Sequence, residues 1–314
     1  MTLHVLENIV LYVVDIRLWT GRKKLRPEDL AANGIDPDKL PPGSLASLGS
    51  KRIIGTEALS PFAAIKREAE KICLAKGVRF LSGYAVPVEE AQAISEKLLH
   101  LQARFVQAKS DLLQSYDEEV RRWIAENPHE WAPVIRAAVE PLAHVERALS
   151  FAYTPLRIDA PDSLEDSEAL ESQAQGLFGQ LCHEVRTAAR SAFEQSYVGK
   201  ASVTRKALRP ILAIREKLSG LVFLDAQVGA MISTIDTTLD ELPSTGPIEG
   251  RDLNMLAGLL SRELSRMGLA ATEGANDSED EDTDEDAQQA AQELTYPSRY
   301  PAAAQPATPL SWDF

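Results

Sequence analysis

The chain has 314 residues, 44% of them hydrophobic and 25% charged, which supplies a sizeable core and suits one large domain or two ordinary ones. Its net charge is −14, but 11 of the 47 acids and only one of the 33 bases follow residue 272, leaving 36 acids and 32 bases before it. A near-neutral body excludes a protein that coats nucleic acid over its whole surface and leaves only a local basic patch to consider, while two cysteines, Cys73 and Cys182, give neither a disulfide framework nor a metal cluster and read as buried small hydrophobes.

Residues 9 to 19, rich in Ile, Val, Leu, Tyr and Trp and stopped by Thr20-Gly21, read as a strand. Val14, Ile16 and Leu18 alternate with Asp15 and Arg17, so its second half has one wet face. Proline and glycine then punctuate a long loop, with a helical turn near Glu28 to Ala32. Ser60-Pro61 has the form of a helix start, a capping hydroxyl followed by proline, and predicts a helix to about Ala75 that stops at Gly77. A short strand, Val78 to Leu81, is broken at Ser82-Gly83 before Tyr84-Ala85-Val86.

Pro87 opens a helix expected to reach Ala125, with a seam through Ala91, Ile94, Leu98, Leu101, Phe105, Ala108 and Leu112. One or two shorter helices interrupted near Pro133 and Pro141 follow. Leu149 to Ile158 reads as a strand able to pair with the first. The next helix is expected from about Leu164 to Tyr197, with a seam at Leu170, Ala174, Leu177, Leu181, Val185, Ala188 and Ala192. From Ile211 to Leu242 the spacing is three, four, three, four: Ile211, Ile214, Leu218, Leu221, Asp225, Val228, Ile232, Ile235, Leu239 and Leu242, with Asp225 the only polar member. That predicts one long coiled-coil-like helix starting near Thr204. A last amphipathic helix is expected from Arg251 to Met267. Asp277 to Asp286 holds eight acids in ten positions, which predicts a disordered acidic tail ending in Trp312, Asp313 and Phe314.

The expected fold is mainly α with a small β element (α+β), long antiparallel coiled-coil-like helices forming a bundle or stalk. Residues 164–197 and 204–242 would make a hairpin, and 88–125 would complete a three-helix bundle. The expected domains are an N-terminal α+β region (1–160), a helical hairpin or bundle (161–271) and the tail (272–314). No stretch has the form of a secretory leader or approaches the roughly 20 apolar residues of a membrane span, so a cytoplasmic protein without membrane attachment is expected.

Catalytic signatures fail on inspection. Gly49-Ser50-Lys51 lacks the spacing of a phosphate loop, since Gly43 lies six residues before Gly49 and Ser50 displaces the lysine. His4, His100, His129, His144 and His183 form no HExxH pattern. No nucleophile signature such as GxSxG occurs. Neither a catalytic residue, a metal nor a cofactor is called for. The densest basic material is Arg22, Lys23, Lys24 and Arg26 with Lys51 and Arg52. Pairing with Glu28, Asp29, Asp36 and Asp38 is the favoured reading of these cations; a grip on phosphates or on an acidic partner is the other. Trp312, Asp313 and Phe314 could anchor the tail in a basic-rimmed pocket of a partner, against the plainer reading of a solubilising tail.

The segments Asp15-Ile16-Arg17-Leu18-Trp19-Thr20-Gly21-Arg22-Lys23-Lys24-Leu25, Ser47-Leu48-Gly49-Ser50-Lys51-Arg52 and Gly77-Val78-Arg79-Phe80-Leu81-Ser82-Gly83-Tyr84-Ala85-Val86-Pro87 resemble an uncharacterised bacterial family, domain of unknown function 3150, over roughly residues 9 to 240. The resemblance carries no assigned chemistry. It implies a setting on conjugative elements, plasmids and phages, near a MoxR-type or CobS-like AAA+ ATPase and a von Willebrand A-type protein. The expectation is therefore a non-enzymatic accessory or adaptor of a mobile genetic element with those two proteins as partners. The alternative is a nucleic-acid-processing accessory that binds DNA through the local basic patch during element transfer or recombination.

Overall fold

In this computed structural model, which describes residues 4–31, 34–42, 45–158 and 167–268, a helical turn α1 (His4–Glu7) delivers the chain into strand β1 (Ile9–Arg17). A two-stranded ribbon of β2 (Arg22–Lys24) and β3 (Ser50–Arg52) follows, with helix α2 (Pro27–Ala31) in its connection. Helix α3 (Thr56–Lys76), the hairpin β4 (Val78–Phe80) and β5 (Gly83–Pro87), and the 39-residue α4 (Val88–Glu126) come next. Short helices α5 (Ala132–Ala138) and α6 (Leu142–Ala148) return the chain to β6 (Ser150–Leu156). The rest comprises α7 (Ser167–Ser196), β7 (Ser202–Val203), α8 (Arg209–Gly220), α9 (Ala226–Asp240), β8 (Ile248–Glu249) and α10 (Gly250–Gly258), the last continuing through a π turn and a 3-10 turn to Arg266. The chain divides into a unit of Met1–Ala270, which holds every described residue, and a second of Ala271–Phe314.

Strands β4, β5, β1 and β6 form, in that order, an antiparallel sheet. Successive side chains of a strand point to opposite faces, and in β1 both faces are buried. Ile9 and Leu11 enter one core with Val78, Phe80 and Ala85, packed by Leu177 and Leu181 of α7, Ile211 and Leu218 of α8 and Leu256 of α10. Val10 and Tyr12 enter a second core with Tyr84, Val86 and Phe151, packed by Phe62 and Ile65 of α3 and Leu98, Leu101 and Phe105 of α4. The sheet is a partition between two helical layers, which is why β1 begins as an uninterrupted apolar run and turns amphipathic only at Asp15. Tyr12 also ties the sheet to the start of α4: its hydroxyl donates to Ala91 O at 2.6 Å and lies 2.6 Å from Ser95 Oγ. Gly83 lets β5 pass close against β1, since a Cβ there would lie 2.4 Å from Tyr12 O.

The pairing of residues 149–158 with the first strand holds, with Val13 opposite Thr154 and Ile16 opposite Phe151. The three-helix bundle does not form. The α4 seam packs on the α3 side of the sheet while α7 and α8 pack on the other, so the partition keeps them in different cores. The long helix expected from Thr204 to Leu242 is two helices. Every seam position is buried or half-buried, but the chain breaks between Leu221 and Asp225, where Asp225 adopts an extended backbone and caps α9 by accepting from Gln227 N at 2.8 Å. α9 returns against α8, and Arg215 spans the pair with a bidentate bond to Asp236 (2.6 and 2.9 Å). In α7 the buried face steps from Val185 to Ala189, leaving Ala188 exposed.

α3 begins a turn earlier than Ser60-Pro61 suggests. Pro61 lies inside the helix and cannot donate to Glu57 O; the Ser60 hydroxyl does so instead, at 2.9 Å. At the β4 end of the sheet the two layers are tied by charge. Lys76 of α3 pairs with Glu90 (2.9 Å) and Glu216 (2.8 Å), and Lys217 donates to Leu74 O at 2.9 Å while pairing with Glu184. Glu184 also accepts from Arg79 N at 3.1 Å, which covers the β4 edge. The β6 edge is blunted differently: Pro155 has no N–H to offer, and Gln102 Nε2 donates to Phe151 O at 2.9 Å.

Cys73 and Cys182 are both buried, and burial pushes their thiols up to about 12 and about 11, far from the thiolate form. No described helix is long and apolar enough to cross a membrane.

Candidate functional site

The motif after β1 builds a mount and then a charged ribbon. Trp19 is buried; its ring meets Tyr116 edge-on at 5.8 Å and its indole N–H donates to Glu140 Oε2 at 2.6 Å. Tyr116 OH donates to the Glu140 carbonyl at 3.0 Å. Gly21, at φ +63, turns the chain where a Cβ would lie 2.7 Å from Ile54 Cγ2, so glycine is required. Ile53 N donates to Gly21 O at 2.8 Å, and Trp123 Nε1 donates to Arg52 O at 3.2 Å. The ribbon is thus held to the C-terminal half of α4 and to the α5–α6 junction.

The register of β2 with β3 places Arg22 opposite Arg52, Lys23 opposite Lys51 and Lys24 opposite Ser50. Strand alternation sorts these cations by face. On the inner face, Lys23 Nζ lies 3.5 Å from Glu140 Oε1 and Lys51 Nζ 2.5 Å from Asp29 Oδ1. On the outer face, Arg22 and Lys24 are exposed and Arg52 half-exposed, and exposed Arg26 follows in the chain. Among the described residues no ion pair reaches Arg22, Lys24, Arg26 or Arg52. Beside the ribbon lies an open concavity of about 780 Å³ whose wall includes Lys24, Arg26, Asp29, Lys51 and Ala138.

The six basic residues singled out in the sequence therefore come together, in two classes. Lys23 and Lys51 are inner-face structural cations. Only Asp29 of the four carboxylates nearby in sequence takes one of them; Asp36 pairs with Lys39 at 3.9 Å. The second inner-face partner is Glu140, which sequence reasoning missed because it lies far along the chain and no local spacing connects it to Lys23. Trp19, Tyr116 and Trp123 were missed as mounts, although Trp19 lies inside the motif. Trp312, Asp313 and Phe314 lie outside the described residues. Among the described residues no group of three or more His, Cys, Asp and Glu side chains is placed to hold a metal ion.

Burial alone would raise the Asp29 carboxyl, but the Lys51 ammonium and the Arg26 N–H, which donates to Oδ2 at 2.8 Å, outweigh it and hold the group below its ordinary value. A depressed folded pKa means a contribution to stability that is complete above the unfolded value of about 3.9 and lost as pH falls through the folded one. Amide exchange in the ribbon, corrected for intrinsic rates, should stay slow above about pH 5 and accelerate below about pH 4. Protection that persisted unchanged well below that window would show that the pair does not hold the ribbon.

A second surface lies on α4. Its inner seam is buried, yet Leu99 and Val106, two turns apart on the outer side, are 59% and 62% exposed. They border an open groove of about 550 Å³ between α4 and β6, walled by Phe105, Leu149 and Phe151.

The family model described as "Protein of unknown function (DUF3150)" matches residues 6–264, a span that takes in the ribbon, the α4 groove and every buried residue of both cores but Met267. No curated protein and no solved structure matches.

Proposed function

The chain belongs to the DUF3150 family, and from that premise we propose that it is a non-enzymatic accessory protein: an adaptor that docks a MoxR- or CobS-like AAA+ ATPase, alongside a von Willebrand A-type protein, in the service of a mobile genetic element. The setting implied by the resemblance supports this reading. The observation that carries it is the outer side of α4. A helix of 39 residues, about 58 Å long at 1.5 Å per residue, gives one face to its own core and still presents Leu99 and Val106 to solvent beside an apolar groove. Exposed apolar side chains aligned with a groove are what a helical or loop element of a partner subunit packs into.

Co-expression with an ATPase encoded beside it tests the reading. The wild-type chain should co-purify with the ATPase, and Leu99→Glu combined with Val106→Glu should weaken the complex by roughly 100-fold, because two carboxylates would be buried without partners. Both side chains lie on the surface, so the variant should keep the wild-type melting temperature. Undiminished capture of the ATPase by the folded double variant would remove α4 as the docking face, and absence of any complex with the wild type would remove the adaptor reading.

A further inference from the structure

We infer that the outer face of the β2–β3 ribbon is a phosphate-backbone contact surface for duplex nucleic acid, read without sequence preference. The proposal goes beyond the adaptor reading and uses a different surface. It starts from the sorting of charge across the ribbon. Lys23 and Lys51 face Glu140 and Asp29 and are neutralised there, whereas Arg22 stands directly opposite Arg52 with no carboxylate paired to either among the described residues. Like charges directly opposite one another in a ladder oppose strand pairing. The fold holds this pair in place through Trp19, Gly21 and Trp123.

Lys24 extends the row along β2, and exposed Arg26 follows beyond the end of the strand. Residues two apart in a strand are separated by roughly 6.6 Å, and long Arg and Lys side chains at that spacing reach successive phosphates of one strand. The guanidinium groups of Arg22 and Arg52 carry the forked donors that match phosphate oxygens. A two-stranded ribbon is also narrow enough to follow a groove. The outer-face chemistry favours a phosphodiester over an acidic protein. A protein anchor needs an enclosed apolar pocket for a buried side chain, and the open concavity beside the ribbon intersperses Leu25, Pro27, Ala137 and Ala138 with six charged side chains. Contacts of this kind position the protein and carry no sequence information, and the aromatic residues of the mount point into the body, so stacking on bases is not expected.

The test is fluorescence anisotropy of the full-length chain with a short labelled DNA duplex of arbitrary sequence, titrated from low to physiological salt. Three to four phosphate contacts predict a slope of log K against log salt of about −3. Arg22→Gln with Arg52→Gln should reduce that slope by about 2 and weaken low-salt binding by roughly 10- to 100-fold. Arg190→Gln, on the exposed side of α7 in the other helical layer, should change neither. An unchanged slope in the folded double variant, no binding by the wild-type chain at low salt, or displacement of the duplex by polyglutamate at equal charge concentration would each overturn the proposal, the last in favour of an acidic protein partner.

Discussion

Phe105→Ala should lower the free energy of unfolding by about 3–5 kcal/mol. Phe105 is 1% exposed at the middle of α4, where its ring meets Phe62 edge-on at 5.1 Å and Phe151 at 5.8 Å, so it joins α3, α4 and β6 in one aromatic cluster. Those neighbours belong to a helix, α3, and a sheet strand, β6, that cannot both collapse into the space, which puts the cost toward the upper end of the range. Leu181→Ala, in the core on the other face of the sheet, should cost about 2–5 kcal/mol for the same reason. The two cores share no side chain, so the double variant should show the sum to within about 0.5 kcal/mol. Denaturant titrations of the two single variants and the double variant measure this. A coupling well above that figure would mean that the sheet transmits strain between the layers and that the partition is not mechanical.

Trp19→Ala should be as costly, about 3–5 kcal/mol, and its effect should be local first. The substitution removes the ring that packs on Tyr116 and the N–H that satisfies Glu140 Oε2. Glu140 is left largely buried, with the Lys23 ammonium at 3.5 Å and the His144 imidazole at 3.7 Å as its remaining side-chain neighbours. Trp19→Phe separates the two contributions: it keeps most of the apolar contact and loses only the hydrogen bond, for about 1–3 kcal/mol. Hydrogen exchange should show the amides of β2 and β3 losing protection before those of β1 in the alanine variant. If β1 and the ribbon lost protection together, the ribbon would be part of the central cooperative unit and not a mounted accessory to it.

The elements themselves were written in local chemistry. The strand at 9–17, the long helix from Pro87 and the helix–strand alternation up to Leu156 follow from apolar spacing and from proline and glycine, because those signals act over a few residues. Even the break in the 211–242 run carried its mark. Asp225 was the one polar residue in the seam, and an aspartate at such a point is a capping residue as readily as a tolerated intrusion. What misled was that the period survives the break: α8 and α9 both bury the same side, so the three–four spacing continues across a chain reversal. Ser60-Pro61 misled for a related reason. The hydroxyl that looked like a cap serves as the substitute donor for a proline one turn inside the helix.

The candidate surface divides in the same way. That Arg22 to Arg26 and Lys51-Arg52 would be basic needed only the residue types. Which of them are neutralised was decided by the register of β2 on β3 and by Glu140, which the α5–α6 junction delivers from the other end of the N-terminal half. By itself the sequence determined the first strand, the long helix from Pro87, the apolar faces and the placement of charge, since each depends on neighbours two to four positions away. Only the tertiary structure decided that the sheet would stand between α4 and α7, and that two lysines would turn inward while two arginines face each other on the outside. Burial on both faces of β1 and pairing across more than a hundred residues are long-range outcomes, set by how layers pack and not by any local preference of the chain.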